Sequence, residues 1–152
     1  MLNINMFTYN AIVNRVIDGD TVVIDIDLGF GLWIKEESVQ LTGIDAPESR
    51  TSDLHEKMFG LHAKQYVENL LPEGSNVVYT STQFQSDKYG RSLGDFQIGD
   101  STLTALMLED RVAAVYRTGS EKQLMEDEHL ANYQHLLGLG KVLVGNSFKS
   151  IY

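Results

Sequence analysis

The residues best suited to chemistry are four acids in two short stretches. Asp18 and Asp20 flank Gly19 in D-G-D-T, and Asp45 and Glu48 flank Ala46-Pro47 in G-I-D-A-P-E. These side chains offer only oxygen, and neither stretch holds Cys or His. That favours a hard cation, Ca²⁺ or Mg²⁺, over zinc or copper. Pro47 fixes its own backbone and drives Ala46 towards an extended shape, so both acids leave a strand end through a rigid turn. The Ala46 carbonyl is a further oxygen there. A third stretch, Asp87-Lys88-Tyr89-Gly90-Arg91, supplies two cations and an aromatic. A guanidinium such as that of Arg91 can grip two phosphoryl oxygens and stabilise charge that grows in a transition state. Lys88 and Tyr89 suit a neighbouring phosphate and a base or sugar. Each stretch also has a plainer reading. Asp-Gly between two strand-like runs is a hairpin signal, and taken alone the acids of D-G-D-T read as solvated turn residues.

Those stretches need strands and helices to hold them. Phe7 to Ile17 alternates as a strand, and Thr21 to Leu28 is β-branched with Asp25 and Asp27 on its wet side. Gly29-Phe30-Gly31 breaks the run, and Leu32 to Ile44 completes a third antiparallel strand. Asp53 is a helix N-cap with Glu56 three residues on, as in a capping box. Leu54, Met58, Leu61, Ala63, Val67 and Leu70 then form a helical stripe that ends near Pro72-Glu73-Gly74. Ser75–Phe84 and Ser92–Ile98 are strands. A short helix follows the cap candidates Asp100, Ser101 and Thr102. Val112–Tyr116 is extended, and Glu121–Leu137 is a last helix, with Leu124, His129 or Leu130, Tyr133 and Leu137 facing inwards. Five strands with a helix between the third and fourth is the order of an OB-type barrel.

At 152 residues with 43% apolar content, the chain suits one domain, residues 1–152, with a sizeable core. From about residue 141 the tail reads equally as an edge strand or a loose end. The absence of cysteine excludes disulfides, thiolate nucleophiles and Cys-type zinc sites. No signal peptide or membrane span is visible, so a cytoplasmic monomer without membrane partners is expected, with secretion left open for a processed form. The net charge of −9 has the wrong sign for coating nucleic acid by long-range attraction. Any phosphate contact is therefore local, at a cationic spot in an acidic surface.

The order D-G-D-T, G-I-D-A-P-E and D-K-Y-G-R, with a helical segment between the second and third, resembles the staphylococcal nuclease (thermonuclease-like) family over about Ile12 to Val115. The short layout is similar to its single-domain bacterial and phage members. The resemblance implies an α+β fold: a five-stranded OB-fold barrel with three helices. It implies that Asp20, Asp45 and the Ala46 carbonyl hold Ca²⁺, with Asp18 close by and Thr21 touching the ligand shell. It implies that Glu48 activates or orients a water for attack on a phosphodiester of DNA, RNA or both. Arg91 would clamp the phosphate, Lys88 and Tyr89 would bind substrate, and Tyr116 would line the nucleotide pocket.

Two positions depart from that pattern. Gln40 stands where the family carries a second phosphate-clamping Arg, and loss of one such donor typically costs on the order of 3 kcal/mol. Either the chemistry is impaired or another cation, with Arg50 the candidate, replaces the clamp. Arg111 stands where the family has a helix-ending glycine, so a local backbone adjustment is expected. The remaining candidates have ordinary readings. His55, His62, His129 and His135 are surface or helix-packing residues, Trp33 is core or barrel rim, and Glu126-Asp127-Glu128 is a solvated helix face. The alternative to an enzyme is a catalytically weak OB module that binds nucleic acid or protein. A plain OB-type domain whose acids bind nothing is weaker still.

Overall fold

Alternation of apolar and polar residues builds a meander of three long antiparallel strands: β1 (Thr8–Asp18), β2 (Thr21–Gly29) and β3 (Leu32–Leu41). The computed structural model describes residues 7–86 and 90–142, the side chains of 83–86 excepted. After β3 come the two-residue β4 (Ile44–Asp45) and helix α1 (Leu54–Leu70). Then follow β5 (Asn76–Ser86), β6 (Ser92–Ile98), the short β7 (Ser101–Thr102) and helix α2 (Leu103–Glu109). The chain ends with β8 (Ala114–Val115), a 3₁₀ turn at Gly119–Glu121 and helix α3 (Lys122–Gly138). The main sheet runs β3-β2-β1-β5-β6-β7, and β3 also pairs with β6 in parallel, which closes five strands into a barrel. The OB-type barrel with three helices that the sequence implied is therefore observed.

The inward faces of the strands make one core, including Val13, Val22, Ile24, Val39, Leu41 and Phe96, closed at one side by Ala63, Val67 and Leu71 from the α1 segment. A smaller cluster joins α1 to α3 through Met58, Phe59, Tyr133, Leu136 and Val142, with the Phe59 and Tyr133 rings stacked at 4.0 Å. Val142 is fully buried there, so the start of the tail packs; residues 143–152 lie outside the described part.

Local signals account for the starts of α1 and α2. Asp53 caps α1 by accepting from the His55 and Glu56 amides at 3.0 and 3.2 Å. The expected capping box is only half formed: the Glu56 carboxylate accepts from the Glu48 amide at 3.4 Å, outside its own helix. Thr102 caps α2 through the Ala105 amide. At the far end of α2, Arg111 takes left-handed backbone with φ of 61°, the adjustment expected where a glycine would sit more comfortably. Its Nε donates to Asn132 Oδ1 at 2.9 Å and ties α2 to α3.

Two expectations need correction. The third strand does not run through to Ile44. It stops at Leu41, turns at Thr42-Gly43, where Gly43 has φ of 78°, and Ile44-Asp45 pairs with β8 instead of the barrel. The inner face of α3 is also displaced from the expected stripe. Met125, Asn132, Tyr133 and Leu136 are buried, whereas Leu124 and Leu130 are 55% and 56% exposed.

Candidate active site

Two turns meet on one helix. An added Cβ on Gly19 would lie 2.8 Å from Ala63 Cβ and 2.9 Å from Ala46 Cβ, so the β1–β2 turn presses against both α1 and the turn after β4. An added Cβ on Gly60 would lie 2.1 Å from the Glu48 carbonyl oxygen. Gly60 and Ala63 are three apart and share a helix face. A face this bare lets the backbone carrying Asp18 and Asp20 and the backbone carrying Glu48 approach together.

Hydrogen bonds then lock the turns to each other. Asp18 Oδ1 accepts from the Ser49 amide at 3.1 Å, and Asp20 Oδ2 accepts from the Ala46 amide at 3.1 Å. The D-G-D-T hairpin is real, but its acids are not the solvated groups of the plainer reading. β4 carries Asp45, and the Tyr116 amide donates to the Gly43 carbonyl at 2.9 Å, which fixes Tyr116 beside the same mouth with its side chain exposed.

An open cavity of about 1160 Å³ is lined by Asp18, Asp20, Thr21, Gln40, Asp45, Ala46, Glu48, Arg50, Arg91 and Tyr116. The structure thus brings together all the sequence-selected site residues except Lys88 and Tyr89, which lie outside the described residues. Thr21 is the hub. Its hydroxyl, 6% exposed as a residue, lies 3.2 Å from Asp20 Oδ1, 3.1 Å from Gln40 Oε1 and 3.4 Å from the donating Nη1 of Arg91. Strand register explains the grouping, because Gln40 pairs with Thr21 on β2 and with Leu93 on β6. The Gln40 amide oxygen accepts from the Thr21 hydroxyl on the floor of the cavity. Glu48 and Arg50 are exposed at the rim.

Burial pushes the Asp20 carboxyl up to about 6, and the charges of Asp45 and Asp18 push the same way against the lowering effect of the Ala46 amide. A divalent cation relieves such crowding of negative charge. Among the described residues, no three or more carboxylate, imidazole or thiol side chains form a ready ligand set. The donor types fit a hard cation bound through two carboxylates, a carbonyl and water rather than through a cage made only of side chains.

Sequence reasoning missed several contributors. His129 Nε2 lies 2.8 Å from Asp45 Oδ2, so this histidine touches the site instead of merely packing. Glu128, expected on a solvated face, accepts from the Val115 amide at 3.1 Å, and Asn132 donates to the Ala113 carbonyl at 3.1 Å. The available signal was positional: Glu128, His129 and Asn132 lie within one turn of the apolar Met125 and Tyr133. Asp25 is likewise more than a wet-face acid. Its Oδ1 accepts from Asn14 Nδ2 and from the Glu36 amide, where Glu36 makes a bulge with φ of 55°. Those contacts hold its carboxyl below the usual range. Trp33 sits on the rim, 39% exposed, with Lys35 Nζ 5.0 Å above its ring.

Comparison with known proteins agrees with the geometry. The family model described as staphylococcal nuclease homologue matches residues 38–136. A thermonuclease of Staphylococcus intermedius is 30% identical over 102 residues, covering 67% of this chain and 56% of the relative. A thermonuclease of Staphylococcus hyicus is 27% identical over 111 residues, covering 73% and 60%. Endonuclease YhcR of Bacillus subtilis (strain 168) is 29% identical over 91 residues, covering 57% of this chain and 7% of that protein. The matches thus span little more than half the length of the two thermonucleases.

Proposed function

The chain belongs to the staphylococcal nuclease family, and on that premise we propose that it is a Ca²⁺-dependent phosphodiester hydrolase acting on DNA, RNA or both. The observation that carries this reading is the single cavity shared by Asp20, Asp45, Glu48 and Arg91. Asp20, Asp45 and the Ala46 carbonyl would hold the cation, with Asp18 and Thr21 around them. A bound Ca²⁺ supplies charge neutralisation and orientation of the phosphate. Glu48, free to reach the mouth, takes a proton from the attacking water or orients it, a role typically contributing about 10²–10⁴ in rate. Arg91 grips the phosphoryl oxygens as the new oxygen–phosphorus bond forms and the ester bond breaks. Tyr116 offers an exposed ring to the nucleotide, with Lys88 and Tyr89 assigned to the flanking phosphate and base.

The test is digestion of plasmid DNA and of RNA with Ca²⁺ or with chelator. Cleavage that requires the ion supports the reading; equal cleavage in both, or none in either, defeats it. A second reading, a binding module weak in cleavage, rests on Gln40: its amide oxygen accepts from the Thr21 hydroxyl, and it cannot make a bidentate clamp. Gln40→Arg separates the two. A rise of about 100-fold in rate marks the missing guanidinium as limiting. No rise, together with a loss in Arg50→Ala, assigns the clamp to Arg50, which borders the same cavity.

A further inference from the structure

We propose that His129 is a positioning residue for Asp45, holding that carboxylate in the orientation in which it receives a cation; the proposal rests on the function read above. The argument begins with the face that α3 turns to the site. Three neighbouring side chains on that face grip the strand pair that carries Asp45. Glu128 accepts from the Val115 amide, Asn132 donates to the Ala113 carbonyl, and His129 reaches Asp45 Oδ2 at 2.8 Å. Asp45 pairs with Ala114 in register, so the helix braces both strands of this small sheet and the one reactive side chain on it.

The ring chemistry sets what His129 contributes. An ionised carboxylate only accepts hydrogen bonds, so Nε2 carries the proton and donates. Nδ1 is buried and finds no hydrogen-bond partner among the described residues. A bare lone pair is tolerated there better than an N–H without an acceptor. The arrangement that fits is therefore donation from Nε2. It fixes Oδ2 and leaves Oδ1 for a ligand. A Lys or Arg at this position would instead compete with the cation for the same negative charge. The Tyr133 ring, 6.0 Å from the imidazole at an interplanar angle of 30°, restricts how the ring can turn. The Asp45 side chain is 37% exposed while that of His129 is 12% exposed, so the acid opens to the cavity and its brace does not. Partners of ligating groups held in this way typically influence metal affinity about 10–100-fold.

Calorimetric titration of Ca²⁺ into wild type, His129→Ala and His129→Gln tests the proposal, with thermal unfolding in chelator as the check on folding. The Gln side chain carries an N–H donor at the same distance from its backbone as Nε2, without the ring. The expected result is affinity weakened at least about tenfold in His129→Ala and returned to within about threefold of wild type in His129→Gln. Equal affinity in wild type and His129→Ala overturns the proposal while leaving the nuclease reading intact. So does a His129→Gln variant as weak as the alanine one, because packing of the ring would then be what matters. A wild-type protein that binds no Ca²⁺ overturns the nuclease reading and this inference together.

Discussion

Strand β2 has a tight turn at each end, and the two turns have opposite fates. At the Asp18-Gly19-Asp20 end, the glycine is pressed against Ala46 and Ala63, and both carboxylates accept amides from the neighbouring turn. At the Gly29-Phe30-Gly31 end, both glycines have φ near 80° with open space around them, and Phe30 is 103% exposed. Leu28, Leu32, Trp33 and Ile34 around that tip are 39–62% exposed. Both ends turn on glycine, although only the Gly29-Phe30-Gly31 end runs through left-handed backbone. What makes the other a candidate site is the bare α1 face beneath it and the second acidic turn beside it. An acid in a turn becomes a candidate catalytic group only when packing removes its water and supplies fixed donors in exchange.

Substitutions at the two ends of β2 should therefore differ in cost. The largest effect is expected from Gly60→Ala, because the added methyl meets the Glu48 backbone. Helix propensity alone favours Ala by about 1 kcal/mol, so a net loss of about 3 kcal/mol in urea unfolding, with cleavage reduced at least about tenfold, measures the clash. An unchanged or raised stability would show that the packed end has slack. Next is Asp20→Asn in chelator. The folded protein binds the Asp20 proton more tightly than the unfolded chain, so this carboxyl favours folding below its ordinary value of 3.8 and that contribution is lost as pH rises through about 6. Asn has no charge to bury and can still accept from the Ala46 amide. It should stabilise the fold by about 2 kcal/mol at pH 8 and give no such gain below pH 4, read as the difference in unfolding free energy at the two pH values. A gain of equal size at both pH values would assign it to something other than the buried charge.

The open turn supplies the small end of the series. Gly31→Ala forces a side chain into left-handed backbone with no clash, for about 1 kcal/mol of destabilisation and an unchanged cleavage rate. Phe30→Ser should move stability by less than about 0.5 kcal/mol and leave cleavage alone, since nothing in the fold depends on that ring. A loss of cleavage in either variant would mean that the two ends of β2 are coupled.

The barrel was legible in the sequence because its signals are local and repeated. Two-residue alternation gave β1 and β2, Asp53 and Thr102 marked helix starts, and Gly-containing turns marked strand ends. The membership of the cavity followed from three short motifs in order. What stayed hidden depends on contacts between distant segments. A two-residue strand has no period to read, so the departure of Ile44-Asp45 from the barrel to join Ala114-Val115 left no trace. The inner face of α3 contains Asn132, which an apolar stripe passes over, and His129, which the stripe left as an alternative to Leu130. Gly60 adds nothing to a helical stripe, and only the packed Glu48 backbone explains why a side chain is excluded there.

The bulge at Glu36 has a consequence for how molecules of this protein meet. Among the described residues, β3 joins β6 only over Val39–Leu41, so the segment from Leu32 to Ser38 presents an outer edge beside an apolar tip. Such an edge invites a second chain to add a strand and begin aggregation. The left-handed bend at Glu36, pinned through its amide to Asp25, interrupts the row of amides and carbonyls that an incoming strand would need. Lys35, Glu36 and Glu37 add charge along the same edge. The hairpin can therefore keep its greasy tip in water while offering a poor template for fibre growth.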